Sequence, residues 1–298
     1  MGLSGEVGRR ALFRGAAGAA VIAGVSGGTA ADAAPAAESA GQGRRLRNDQ
    51  IGLQLFTVRD AFMADPEGTT RALADIGYET VELAGLPPGF DAQRLRRLFD
   101  RFGVRARSSH HGFADVANPD RLRQIIADAK ALGQRYVVCP GGIPDFTVEG
   151  FTFAAGVFNQ VGAECRRAGL VFGYHNHETE FRFVDGQLLH DILIDETDPR
   201  LVTMEVDVHW VYVGRGNPYE VIWRHPDRVR LFHVKGLRPD LELTDVGSAD
   251  DIIDWGPLFR FAITRGVEEY IIENDDPNDP RTSPRSKNMY DFVRNLRF

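Results

Sequence analysis

Cysteine is almost missing from this 298-residue chain: Cys139 and Cys165 are the only two, one on a strand end and one on a helix. That excludes a disulfide framework, and with no CxxC or Cys/His nucleophile pattern the pair reads as two buried thiols. Long apolar runs are missing too. The weakly apolar stretch near the N-terminus is short and rich in glycine, which excludes stable membrane insertion by a spanning helix. A basic excess is also lacking, with 35 Lys and Arg against 42 Asp and Glu. Residues 1–47 hold six arginines against Glu6, Asp32 and Glu38, a net of +3, so residues 48–298 carry −10 of the overall −7. A body that acidic has no stripe to bind nucleic acid and is repelled by an anionic membrane surface.

What is present fits a globular chain with a large core: 43% of residues are hydrophobic and 26% charged. One α/β barrel of about 250 residues accounts for the length. The first 43 residues are of different material, rich in Ala and Gly and without helical or strand period. Arg9 and Arg10 precede Ala11-Leu12-Phe13-Arg14, the apolar stretch runs to about Gly28, and Ala31-Asp32-Ala33 offers a small-x-small cleavage signal. This resembles a twin-arginine export signal, with Gly8 where that pattern more often has Ser or Thr. The resemblance implies a signal at 1–33, a disordered linker at 34–48, a folded domain at 49–298, and a periplasmic or extracellular protein that folds before it crosses.

From residue 50 onward, short apolar runs alternate with amphipathic stretches, the rhythm of a parallel sheet covered by helices. Strands are expected at 51–56, 80–83, 104–108, 136–139, 171–175, 202–207, 229–234 and 270–273. Helices are expected at 68–76, 92–102, 119–132, 151–168, 188–195, 218–224, 255–265 and 286–296. Gly77, Gly103, Gly133, Gly169 and Gly266 each follow a helix where a left-handed cap is needed. Eight such units define a single-domain (β/α)8 TIM barrel, whose chemistry sits at the C-terminal strand ends.

Those ends are where the titratable residues gather: Glu82, His110 and His111, His175 and His177, Asp207 and His209, His233 and Lys235, Glu273 and Asp275. Of eight histidines, only His190 and His225 fall elsewhere. His175, Asp207, His233 and Glu273 come from four consecutive strands and form a candidate metal site. Imidazole with carboxylate suits Mn²⁺, Zn²⁺, Co²⁺ or Fe²⁺ better than the all-oxygen ions Mg²⁺ and Ca²⁺.

YHNHETEF at 174–181, the Glu-x-Asp of MEVDVHW, FHVKG and YIIEND occur in an order that resembles the sugar phosphate isomerase/epimerase family, the xylose-isomerase-like TIM barrels. The likeness runs from IGLQLFTVRDAF at residue 51, through GYETVELAG, to the C-terminus. It implies a divalent metal, manganese first among the candidates, held by Glu, Asp, His and Glu after strands five to eight. Asp207, His233 and Glu273 match the last three. His175 stands where the first Glu is expected, and Gly236 where relatives frequently have Asp, so the paired-glutamate mechanism of the family's epimerases does not carry over directly.

Strand alternation turns His175 and His177 to the same side, with Asn176 turned away. His175 then holds metal and His177 serves as general base or acid, with Glu273 and Lys235 as the other catalytic groups. Glu180 either hydrogen-bonds substrate or packs its loop. Glu82, His110, His111, Trp210 and Asp275 are expected to touch substrate, with Phe56 a second stacking wall. The aspartates of DVGSADDIIDW at 245–255 read as solvated, and 274–286 as an ordered loop over the site. The expected activity is isomerisation or epimerisation of a sugar or polyol by proton transfer next to a carbonyl. A metal-dependent lyase acting on a 3-keto-glycoside or keto-acid is the alternative, and a non-catalytic sugar-binding protein a third. The partner is a small carbohydrate, and the sequence leaves a homo-oligomer open.

Overall fold

The computed structural model describes residues 43–298. The expected signal and most of the linker lie outside the described residues. Eight strands form the barrel: β1 Ile51–Gln54, β2 Thr80–Leu83, β3 Arg105–Ser109, β4 Tyr136–Cys139, β5 Val171–His175, β6 Val202–Asp207, β7 Val229–Val234 and β8 Glu269–Ile272. They pair in parallel in the order β3-β2-β1-β8-β7-β6-β5-β4. The ring closes between β3 and β4 through a parallel bridge from His110 to Val138, where the His111 N–H donates to the Val138 carbonyl at 2.9 Å. The strand expected to reach Phe56 stops at Gln54. Its side-chain Oε1 captures the Phe56 N–H at 3.1 Å and starts a 3₁₀ turn, Leu55–Val58.

The covering helices are α1 Pro66–Ile76, α2 Ala92–Phe102, α3 Pro119–Leu132, α4 Val148–Arg167, α5 Leu189–Asp195, α6 Pro218–Arg224, α7 Trp255–Thr264 and α8 Arg285–Asn295. The third shows how local sequence sets the bounds. Asn118 Oδ1 accepts the N–H groups of Asp120 and Arg121, Pro119 occupies the first turn, and Gly133 ends the helix at φ +72°. Its neighbour α2 buries Leu95, Leu98 and Phe99 against the sheet. Truncating one such fully buried phenylalanine to alanine costs about 3–5 kcal/mol.

Inside the ring, Tyr136, Val138, Leu231 and Ile271 make a small apolar plug. Below it lies a floor of ion pairs: Arg107 to Glu269 at 2.5 Å, Arg230 to Glu268 at 2.5 Å, and Arg135 to Glu268. Above it lies the polar rim. Two register shifts separate these layers, between Val81 and Glu82 against β3 and between Met204 and Glu205 against β7. The residues passed over are Arg107 and Arg230, which meet the floor glutamates. Past the shifts, Glu82 and Glu205 are both fully buried at the rim.

Within residues 44–48, part of the stretch assigned to a linker from sequence, Arg44 and Leu46 are tied to the folded domain while Arg45 and Arg47 are exposed. The Arg44 N–H donates to the Phe298 carbonyl at 2.8 Å, Phe298 returns the bond at 3.0 Å, and Leu46 is buried. Two aspartates expected to be solvated are also engaged. Asp245 binds Arg285 at 2.8 Å and Asn274 at 2.7 Å. Asp251 accepts the Trp255 indole N–H at 2.7 Å and the Gly247 N–H at 2.8 Å. Both tie loops to helices at the mouth, which the surrounding run of polar residues conceals.

Candidate active site

Alternation along a strand places residues two apart on one face, and four barrel strands use it in the same way. Glu205 and Asp207 end β6, His233 and Lys235 end β7, Glu273 and Asp275 follow β8, and His175 and His177 end β5. The lower tier centres on Glu205. Its Oε2 lies 2.7 Å from His110 Nε2, 3.0 Å from His175 Nδ1 and 3.3 Å from His233 Nε2. Glu82 Oε1 sits 2.9 Å from His110 and 2.8 Å from His233, and accepts Gln54 Nε2 at 2.8 Å. His233 links the tiers, because its Nδ1 lies 2.8 Å from Glu273 Oε2. In the upper tier, Lys235 Nζ is 2.8 Å from Glu273, 3.0 Å from Asp207 and 3.1 Å from Asp275.

Burial and mutual charge decide which groups are ionised. Burial opposes charge on Glu205, and so does nearby Glu82, but His233 and His110 outweigh both and hold its carboxyl down at about 2. Glu82 and Glu273 likewise sit well below the usual carboxylate range: their cationic neighbours, His110 for the first and Lys235 with His233 for the second, overcome burial. Burial would discharge His110, yet Glu82 and Glu205 push it up to about 10, and Glu205 with Glu273 keep His233 protonated. Lys235 is driven further up by Asp207 and Glu273. His175 goes the other way, held neutral by burial and by the charge on His233. Five carboxyl groups thus face three cationic groups, an acidic excess that is buried at the lower tier and reaches the cleft at the upper.

That excess is what a divalent ion balances. Atoms of His110, His175, Glu205 and His233 all lie within 4.8 Å of one another, as do those of Asp207, His233 and Glu273. Two buried oxygens, Glu82 Oε2 and Glu205 Oε1, have no partner among the described residues, and Asp207 Oδ2 meets only the Lys235 ammonium within hydrogen-bonding distance, at 3.0 Å. Unclaimed carboxylate oxygens beside imidazoles fit a metal of the transition series. Asp207, His233 and Glu273 come together as sequence reasoning expects. His175 stands 4.0 Å from Asp207 and closer to Glu205. Lys235 shares Asp207 and Glu273 with any ion that trio holds.

The remaining expected residues separate. His177 faces the cleft, its ring 5.0 Å from that of His175 and 5.7 Å from that of Trp210, with no hydrogen bond to another side chain among the described residues. Trp210, expected to touch substrate, does not line that cleft and stands behind its wall, its ring centre 5.2 Å from Lys235 Nζ. Asp275 and Phe56 line the cleft, a space of about 360 Å³. Glu180 is a loop anchor: it accepts from Tyr174 Oη at 2.5 Å and from the His177 N–H at 3.1 Å, and so fixes the His177 backbone. His111 turns out of the cleft to bond Ser109 at 2.8 Å, its pKa lowered to about 4 by burial and by charged His110. Sequence reasoning missed Glu205 and Gln54. The signal for Glu205 was its parity with Asp207, one inward position deeper than the strand's last residue.

A TIM barrel with an imidazole–carboxylate cluster at its C-terminal rim defines a class of barrel enzymes. Residues 70–295 match the xylose isomerase-like TIM barrel model, and the chain belongs to that family. It is 25% identical over 218 residues to an inosose dehydratase of Geobacillus kaustophilus, a match spanning 65% of this chain and 67% of that one. An inosose dehydratase of Halalkalibacterium halodurans is 31% identical over 101 residues, 33% of this chain and 32% of the relative. Among solved structures, a sugar phosphate isomerase/epimerase from Parabacteroides distasonis superposes with a TM-score of 0.72 at 19% identity, covering 90% of this chain and 99% of the other.

Proposed function

We propose that the protein is a divalent-metal-dependent lyase that eliminates a β-leaving group from an uncharged keto-sugar or keto-polyol. Asp207, His233 and Glu273, with His175, would hold the metal, and Mn²⁺ suits their mixed nitrogen and oxygen donors. When bound, a divalent ion polarises the substrate carbonyl and acidifies the adjacent C–H. His177 takes that proton. The C–H electron pair becomes a C=C bond, the C–O bond at the β carbon breaks, and the departing oxygen receives the proton back from His177 on the same face. Lys235, kept protonated by Asp207 and Glu273, presents positive charge to the oxygen that gains electron density. Glu180 holds the His177 backbone in place.

The observation that carries this reading is the single imidazole at the cleft left free of side-chain partners, His177, opposite an ammonium that is already committed to three carboxylates. One relay on one face suits elimination. The name of the dehydratase relatives supports it, and both cations lining the cleft, Lys235 and His110, are already paired with carboxylates. The isomerase or epimerase reading draws on Glu273, a carboxylate lining the same cleft that would return a proton from β8.

Manganese-loaded protein given a 3-keto-glycoside in D₂O separates the two. Aglycone release supports elimination, whereas deuterium uptake with changed configuration and no cleavage supports epimerisation. His177→Ala should keep its metal and lose about 10²–10⁴-fold in turnover, the usual worth of a general base. Undiminished turnover removes His177 from the mechanism.

A further inference from the structure

Beside the cleft lies a second, larger cavity of about 470 Å³, between the ends of β2 and β3 and the flank of α3. Ala84, His110 and Gly112 line both spaces, so the two adjoin along a shared wall. We propose that this cavity receives the second half of a two-part substrate, an uncharged and largely apolar ring that carries a hydroxyl. That this half is the leaving group rests on the elimination reading; the cavity's preference for its chemistry does not.

Three features select that chemistry. Leu83, Leu86, Ile125 and Ala129 give the cavity an apolar wall, and its volume falls in the range of about 300–1,000 Å³ that ligand pockets occupy. At its base runs a hydrogen-bonded chain. Gln134 Nε2 donates to the Ser108 carbonyl at 3.1 Å, which turns the amide Oε1 toward Ser109 Oγ at 2.9 Å. Ser109 Oγ in turn sits 2.8 Å from His111 Nε2. Ser109 and Gln134 are buried, and the chain satisfies them. Ser109 gives its proton to Gln134 and so accepts from His111 Nε2, which leaves His111 Nδ1, without a protein partner among the described residues, as an acceptor for a ligand hydroxyl.

Charge at the rim argues against an anion. Arg121 is bound to Asp115 at 3.1 Å and His110 to Glu205 at 2.7 Å, so every cation lining the cavity is already paired among the described residues. A phosphate or carboxylate on this half of the substrate would find no free cation to bind. The main cleft, at about 360 Å³, holds the other ring beside His177 and Lys235.

Calorimetry on the manganese-loaded full chain tests this with non-reacting probes. 4-Hydroxyphenyl β-glucoside should bind at least about tenfold more tightly than methyl β-glucoside, a gap of about 1.4 kcal/mol. Leu86→Trp, at a half-exposed position on the cavity wall, should cut that preference below threefold without shifting the melting temperature, and His111→Ala should weaken the hydroxyphenyl probe more than the phenyl one. Equal binding of the two glucosides by the parent protein, or a preference that survives both substitutions, overturns the proposal. Cleavage of methyl 3-keto-glucoside without any aryl preference would overturn the cavity assignment and leave elimination standing. An aryl preference with no cleavage of either 3-keto-glycoside would uphold the cavity and remove elimination.

Discussion

Glu205→Gln is the most informative single change, because one carboxylate oxygen meets three imidazoles at 2.7, 3.0 and 3.3 Å. The amide keeps the shape and removes the charge. Two routes give the size of the loss in metal-free protein. Removing one partner from a buried ion pair costs about 3–5 kcal/mol. A carboxyl held at about 2 instead of its usual 4.5 is worth about 3 kcal/mol at 1.36 kcal/mol per pKa unit. Urea unfolding after chelation, at pH 6, should therefore show the variant about 3 kcal/mol less stable, or roughly 6–12 °C lower in melting temperature for a domain of this size.

The pH dependence of that gap is the sharper test. A depressed carboxyl stabilises fully above its unfolded pKa, near 4.5, and loses that contribution as pH falls toward 2. A raised imidazole stabilises fully below its unfolded pKa, near 6.5, and loses that contribution as pH climbs through about 10. Glu205 and His110 are two ends of one interaction, so the gap counts once, is widest between about pH 4.5 and 6.5, and narrows on both sides. A difference below about 1 kcal/mol at pH 6, or one that does not vary with pH, would refute the ionised cluster.

Two further outcomes concern the rim. Asp207→Asn and His175→Ala should each lower Mn²⁺ affinity by at least about tenfold, the scale on which even outer partners of a metal act, with metal content of dialysed protein read by mass spectrometry. Parent-like content in the His175 variant would hand its place to Glu205. Lys235→Met should keep its metal but lose about 10²–10³-fold in kcat, as removal of a fixed charge from a developing oxyanion does; a change confined to KM would make Lys235 a binding group only.

Much of this architecture is legible in the residues because parallel barrel strands are short apolar runs fenced by glycine and helix caps. Asn118, Pro119 and Gly133 around α3 show all three signals in one helix. The rim was legible for a related reason: in this fold the last residues of each strand share one destination, so Asp207, His233 and Glu273 converge without any knowledge of tertiary contacts. What stayed hidden depends on register and on partners. Glu205 owes its depth to a ladder shift that no local pattern announces. The anchoring role of Glu180 depends on Tyr174 and the His177 backbone, and the outward turn of His111 on the β3–β4 closure. Asp245 and Asp251 look like any polar loop residues until Arg285 and Trp255 fold onto them.

The reciprocal bonds between Arg44 and Phe298 bring both ends of the folded domain to the side of the floor arginines, where Arg44, Arg107 and Arg230 share one hollow. A bead, a dye or a fused partner joined next to Arg44 or Phe298 would therefore hang from the base of the cylinder and leave the rim with its titratable cluster unobstructed. A short bridge across the two ends would also permit new ends to be opened in an exposed helix-to-strand turn.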